Sequence, residues 1–246
     1  MVIKTEYGYQ RAGSAPYVIV APHAAGDDLL TGRLARKLAR HLGASLVVNN
    51  KYLKPNNSRA KKRGEMVEDF NVLSWSSRSD KYLWKKKKPA MKVFYQDIAF
   101  FCQKAKETAV EKPLVVYIHG FRSMTVGLDI GVGAKNHHQG RKLYGSLRHA
   151  DVGGNTGEIT TKISTVKLFS QILTERLQTD KGLGVTVGCA YSGWSRLSGI
   201  QFHRHSPQDE YAMQLEVGTT LRQVENQEYL VQVLTEAIKK CFPPNK

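Results

Sequence analysis

The segment Tyr17-Val18-Ile19-Val20-Ala21-Pro22-His23 decides how the chain is read. A short run rich in β-branched residues, bounded by Pro16 and Pro22, has the pattern of a strand buried on both faces. Leu29, Leu30, Leu34, Leu38 and Leu42 follow at three-and-four spacing, which predicts an amphipathic helix closed by Gly43, with Asp27 or Asp28 as its N-cap. Residues 44–48 read as the next strand. Strand, helix and strand joined this closely form a βαβ unit and predict a parallel or mixed sheet covered by helices.

The same strand pattern returns at residues 114–118 and stops at His119-Gly120, and further strands are expected at 128–132, 183–189 and 212–217. In the last of these Met213, Leu215 and Val217 face one way and Glu216 the other. Helical periodicity covers 93–110, 161–179 and 226–240. Residues 49–90, rich in Asn, Ser, Lys and Arg, read as a long basic excursion over the surface, the kind of segment that often carries function. No internal repeat or linker divides the chain. The expected architecture is one three-layer α/β/α domain over residues 1–246 with a mixed, mostly parallel central sheet.

Composition narrows the function. The chain has 37 Lys and Arg against 21 Asp and Glu, a formal charge of +16 that attracts anions. Its 3 cysteines lie far apart, so neither a disulfide framework nor a Cys-x-x-Cys zinc knuckle is available. No apolar run approaches the roughly 18 residues a membrane helix needs, and the N-terminus lacks a signal-peptide layout, so a cytoplasmic protein without a membrane partner is expected. Lys61-Lys62-Arg63 and Lys85 to Lys88, the latter next to Tyr82 and Trp84, support an alternative reading as a basic nucleic-acid-binding protein. No known nucleic-acid-binding motif accompanies them.

In open α/β sheets ligands collect beyond the carboxyl ends of the strands, where His23 and His119 both fall. Two neutral imidazoles and a carboxylate from Asp27 or Asp28 suit zinc with one open position for water. Glu216, alternating out of an apolar strand, is a candidate proton carrier or one half of an ion pair with Arg222. His203-x-His205, with Asp209 and Glu210 close by, is a weaker second candidate, and His137-His138 lies in a polar stretch. The glycine-rich segments lack both a P-loop lysine pattern and G-x-G-x-x-G, which argues against a nucleotide cradle.

The ordered segments Ala21-Pro22-His23, Asp69-Phe70-Asn71, Tyr117-Ile118-His119-Gly120, Asp129-Ile130-Gly131 and Gln214-Leu215-Glu216 to Leu221-Arg222 resemble the motifs of N-formylglutamate amidohydrolases. They resemble more distantly those of poly-γ-glutamate hydrolases, aspartoacylases and zinc carboxypeptidases. The resemblance spans most of the chain. It implies one zinc ion per chain and cleavage of an amide bond in an N-acylated acidic amino acid or a γ-glutamyl, peptide-like substrate. It makes His23, Asp28 and His119 the metal ligands and Glu216 the general base. Aspartate stands where several relatives carry glutamate, so the loop Ala24-Ala25-Gly26 must bring Asp28 closer. Asp27, Asp69 and Asp129 are then the groups behind the ligands, with Asp129 expected to orient a histidine. Guanidinium groups suit substrate carboxylates and a developing oxyanion. Val72 stands where some relatives have arginine, which leaves Arg59, Arg63 and Arg222 for that task, with Asn57 and Asn71 as polar contacts to substrate.

Overall fold

The computed structural model describes residues 1–59, 66–76, 81–133, 135–136, 147–148, 159–189, 191–205 and 209–245. Its strands are β1 (Val2–Lys4), β2 (Gly8–Arg11), β3 (Tyr17–Ala21), β4 (Ser45–Asn49), β5 (Trp75–Ser76), β6 (Lys81–Tyr82), β7 (Leu114–Gly120), β8 (Val126–Gly131), β9 (Lys135–Asn136), β10 (Leu147–Arg148), β11 (Gly184–Val187) and β12 (Tyr211–Val217). Its helices are α1 (Thr31–Leu42), α2 (Pro89–Lys106), α3 (Ile163–Lys181), α4 (Thr219–Arg222) and α5 (Val224–Cys241), with 3-10 turns at Trp84–Lys86 and Gly199–His205.

Eight strands form one sheet in the order β1-β2-β4-β3-β7-β12-β8-β11. The central four, β4, β3, β7 and β12, run parallel, while β12 meets β8 antiparallel and β2 meets both β1 and β4 antiparallel. This is the mixed, mostly parallel sheet that the strand–helix–strand order predicts. Residue parity sorts the two layers that cover it. Ile19, Val116, Ile118, Met213 and Leu215 point toward α1, α3 and α5, whereas Val18, Val20, Val115, Tyr117 and Ala212 point toward α2. Burial on both faces explains why these strands are almost continuously apolar.

The connection from β3 through α1 leads to β4 on one side, and the chain then crosses to β7 on the other side of β3. The two strands that end in histidine are therefore neighbours at a topological switch point, where a crevice opens beyond the strand ends. Strand parity puts His119 and Glu216 on the α2 side of the sheet, with Tyr117 and Ala212.

Several expected boundaries shift for local reasons. Helix α1 begins at Thr31, and neither Asp27 nor Asp28 caps it; Leu30 precedes it in the left-handed region, φ 68°. A branched residue there is strained, at a cost of about 1 kcal/mol. Gly43 closes the helix at φ 68° as expected. Helix α2 starts at Pro89 and ends at Lys106, because proline fits the first helical turn and lacks only a donor the helix does not use there. The hairpin β1–β2 is an addition to the expected strands; β1 is exposed throughout and carries no apolar stripe. Within the 49–90 excursion, Leu53, Phe70 and Leu73 are buried, so it is pinned into the core on the α2 side rather than lying wholly on the surface.

Leu38, fully buried in α1, is a direct probe of this packing. Leu38→Ala is expected to destabilise the protein by about 2–5 kcal/mol in urea unfolding, and Leu168→Ala on the exposed side of α3 by less than about 0.5 kcal/mol. Similar losses at both positions would contradict the layer assignment.

Candidate metal centre

The turn after β3 carries His23 into the crevice, and β7 delivers His119 beside it. His23 Nδ1 lies 3.1 Å from Asp28 Oδ2 and 3.1 Å from His119 Nδ1, and His119 Nδ1 lies 3.3 Å from Asp28 Oδ2. All three side chains are buried. Ligand bonds of about 2.0–2.1 Å to one tetrahedral ion place donor atoms about 3.3 Å apart, so this triangle fits one face of such a site. The donors also suit zinc chemically, being two imidazole nitrogens and one carboxylate oxygen. Asp28, not Asp27, reaches the cluster. The backbone brings it there through Gly26, at φ 127°, and through a turn in which Asp28 N donates to the His23 carbonyl.

The surroundings hold the triangle in place. His23 Nε2 is 2.9 Å from Asp69 Oδ1, so the second nitrogen of that ring is oriented by a carboxylate. Asp69 is itself fixed by the Asn71 amide at 2.9 Å. Lys54 Nζ sits 3.3 Å from the other oxygen of Asp28. Lys54 is a functional neighbour that sequence reasoning misses, because no periodicity marks it among the polar residues of the excursion.

Electrostatics follows from this crowding. Two imidazoles 3.1 Å apart do not both accept a proton. Burial works against charge on His23, but its hydrogen bonds to Asp28 and Asp69 outweigh that and raise its pKa. Burial lowers the pKa of His119, and the neighbouring His23 lowers it further. Burial alone would raise Asp28, yet the bonds from His119 and His23 hold it well below the usual carboxylate range. Asp69 falls to about 2, its bond from His23 overriding burial. The cluster is built to hold positive charge between carboxylates.

Glu216 lies on β12 in register with His119 on β7 and with Asp129 on β8. Burial first, and the charge of Asp28 second, push its carboxyl up to about 8. It lines a cavity of about 380 Å³ with Gln214, Asn71, Tyr191, Trp194 and Ser198.

The remaining expected residues separate into those near the centre and those elsewhere. Asp27 braces the loop, accepting from the Lys54 amide at 2.9 Å and from Asn57 Nδ2 at 2.6 Å. Asn57 is thus engaged in holding the loop. Asp129 accepts from Thr186 Oγ1 at 2.7 Å and from the amides of Cys189 and Tyr191 at 3.1 and 2.9 Å. Through these bonds Asp129 fixes the segment that lines the Glu216 cavity, and antiparallel pairing sets it opposite Glu216. Arg222 donates to the carbonyls of Leu29 at 3.0 Å and Phe121 at 3.2 Å, and its guanidinium occupies the space where a side chain at Gly120 would stand. It clamps the two strand-end loops and does not pair with Glu216 through any described bond. Arg59 is exposed, with Nη1 beside Gly26 at the rim. Arg63 and His137-His138 lie outside the described residues. Tyr82 and Trp84 are packed against Phe202, with ring centroids 5.8 and 6.3 Å away, and Trp84 also against Tyr95 at 5.6 Å. Both rings are half-buried and pack partly into the protein.

No family model and no curated protein matches the chain. Among solved structures, a bacteriophage poly-γ-glutamate hydrolase aligns with a TM-score of 0.50 and 15% identity, covering 94% of this chain and 84% of its own. A gene product of Agrobacterium tumefaciens aligns with a TM-score of 0.52 and 15% identity, covering 93% and 91%. At this identity the likeness shows a common fold, and neither structure bears the N-formylglutamate name. Among the described residues, no helix is long and apolar enough to cross a membrane.

The raised Glu216 carboxyl makes metal-free protein sensitive to pH. The folded state holds a proton there up to about 8, whereas the ordinary value is 4.5, so stability is greatest below the lower figure and declines as pH rises through the upper one. Urea midpoints measured across that window are expected to fall for the metal-free parent and to fall less for Glu216→Gln. Equal slopes would show that Glu216 is not held protonated by burial.

Proposed function

We propose that the protein is a zinc-dependent amide hydrolase acting on N-acylated acidic amino acids or γ-glutamyl, peptide-like chains. The observation that carries this reading is the triangle of His23 Nδ1, His119 Nδ1 and Asp28 Oδ2 with a protonatable carboxyl, Glu216, on the adjacent strand. In this reading those three residues hold the ion, and Asp69 orients His23. A bound zinc supplies Lewis acidity, which polarises a carbonyl and lowers the pKa of water toward about 7.

The chain's own residues do the rest. Glu216 takes a proton from the attacking water and delivers it to the departing nitrogen, a cycle that begins with its carboxyl ionised; burial opposes that form in the metal-free protein, and the positive charge of a bound ion would favour it. The cavity bounded by Asn71, Trp194 and Gln214 receives one side of the scissile bond. Lys54 beside Asp28 and Arg59 at the rim add positive charge on the approach side, and the overall charge of +16 favours encounter with anionic substrates. Arg222 supports the floor of the crevice through its loop contacts. Arg63 is proposed as a further cation for the substrate on the strength of the motif resemblance alone. The same resemblance supports the acidic character of the substrate, and the fold of the bacteriophage poly-γ-glutamate hydrolase is compatible with it. The reading treats residues 1–246 as one catalytic unit working in the cytoplasm.

The test combines metal content with turnover of N-formylglutamate and of γ-glutamyl oligomers. His23→Ala and His119→Ala are expected to lose the metal of this site and at least about 100-fold in activity. Glu216→Gln is expected to keep the metal while kcat falls by about 10²–10⁴-fold. A Glu216→Gln protein with most of its activity would remove the proposed base, and hydrolysis undiminished by chelation would remove the metal.

A further inference from the structure

A second cluster of ligand-type side chains lies on the α2 side of the sheet, toward the start of β12. Cys102 in the middle of α2, His203 in the 3-10 turn and Glu210 just before β12 are all buried, and their candidate ligand atoms lie within 4.8 Å of one another. Glu210 precedes β12 by one residue and Glu216 lies near its end, about 20 Å further along the extended strand, and the two clusters share no residue.

Contacts on both sides hold the histidine ring in place. His203 Nε2 lies 2.9 Å from Tyr117 Oη on β7, and its Nδ1 lies 2.5 Å from Glu210 Oε1, so both ring nitrogens are engaged. Cys102 Sγ brings a third donor within 4.8 Å of these ligand atoms. A proton serves two of these groups; a divalent cation serves all three.

We infer that Cys102, His203 and Glu210 form a second metal site, selective for a zinc-like ion through its thiolate. One sulfur, one nitrogen and one oxygen donor suit zinc or cobalt better than hard cations. Tyr117 supplies the outer hydrogen bond that orients the ligating ring. A cleft of about 530 Å³, lined by His203, Glu210, Thr160 and Tyr211, gives the ion a route inward and leaves room for water as a fourth ligand. On binding, the thiol proton and the proton shared by His203 and Glu210 leave to solvent, and the ion takes their place.

Cobalt(II) titration of the full, reduced, metal-stripped chain separates the two centres, because thiolate-to-cobalt charge transfer in the near ultraviolet needs a sulfur ligand and the His23 centre has none. The band is expected to appear with a second equivalent of bound cobalt, to persist in His23→Ala and to vanish in Cys102→Ser. The double variant Cys189→Ser, Cys241→Ser leaves Cys102 as the sole thiol and keeps the measurement decisive where Cys102→Ser does not fold. Retention of the band in it supports the site. Cobalt uptake without a band in the parent or in the double variant, or a band that survives Cys102→Ser, overturns it and leaves the His23 centre unaffected.

Discussion

Two imidazole nitrogens and a carboxylate oxygen stand within 3.3 Å of one another in a pocket closed to solvent, and that crowding governs the rest of the site. Such a group favours positive charge inside it, and the hydrogen bonds of His23 to Asp28 and Asp69 raise its pKa against the effect of burial. Each nearby feature serves the same requirement. Asp69 and Lys54 hold the two ends of the cluster, Gly26 and the left-handed Leu30 bend the loop that carries Asp28, and Arg222 ties the loops after β3 and β7 together. Strain at Leu30 is tolerated where the reward is placement of a carboxylate between two rings.

The sheet converts this local demand into a site with a reaction partner. Parallel pairing of β7 and β12 sets His119 opposite Glu216, so the carboxyl is displayed on the same face and at the same height as the His119 ring. The parity that makes Met213, Leu215 and Val217 part of one core forces Glu216 toward the other layer, where it lines a cavity. Burial then raises its pKa, so that the carboxyl can hold a proton in the metal-free protein.

Much of this was legible in the sequence because it is written in short-range pattern. The run Tyr17–Ala21 ending at Pro22-His23, its repeat ending at His119, and the alternation around Glu216 follow from strand periodicity, and they place three of the site residues without reference to distant contacts. The rest depends on tertiary geometry. Asp69 approaches His23 from 46 positions away along an irregular segment, and Lys54 comes from the same segment. The position of Asp129 opposite Glu216 is set by the antiparallel entry of β8, which periodicity does not report. His203 and Glu210 stood out as a possible set, but Cys102, the residue that gives that cluster its character, lies a hundred positions earlier on the apolar face of α2. Helix starts moved where proline or a strained residue replaced the polar cap that pattern reading expects.

The central claim is that His23, Asp28 and His119 grip one divalent ion through Nδ1, Oδ2 and Nδ1. Anomalous diffraction at the zinc edge from crystals of the zinc-loaded protein tests it most directly. The account predicts a peak about 2.0–2.2 Å from each of those three atoms, with Asp69 still bonded to His23 Nε2. A zinc-loaded crystal with no peak inside that triangle, or with His23 turned to bind zinc through Nε2, would contradict it.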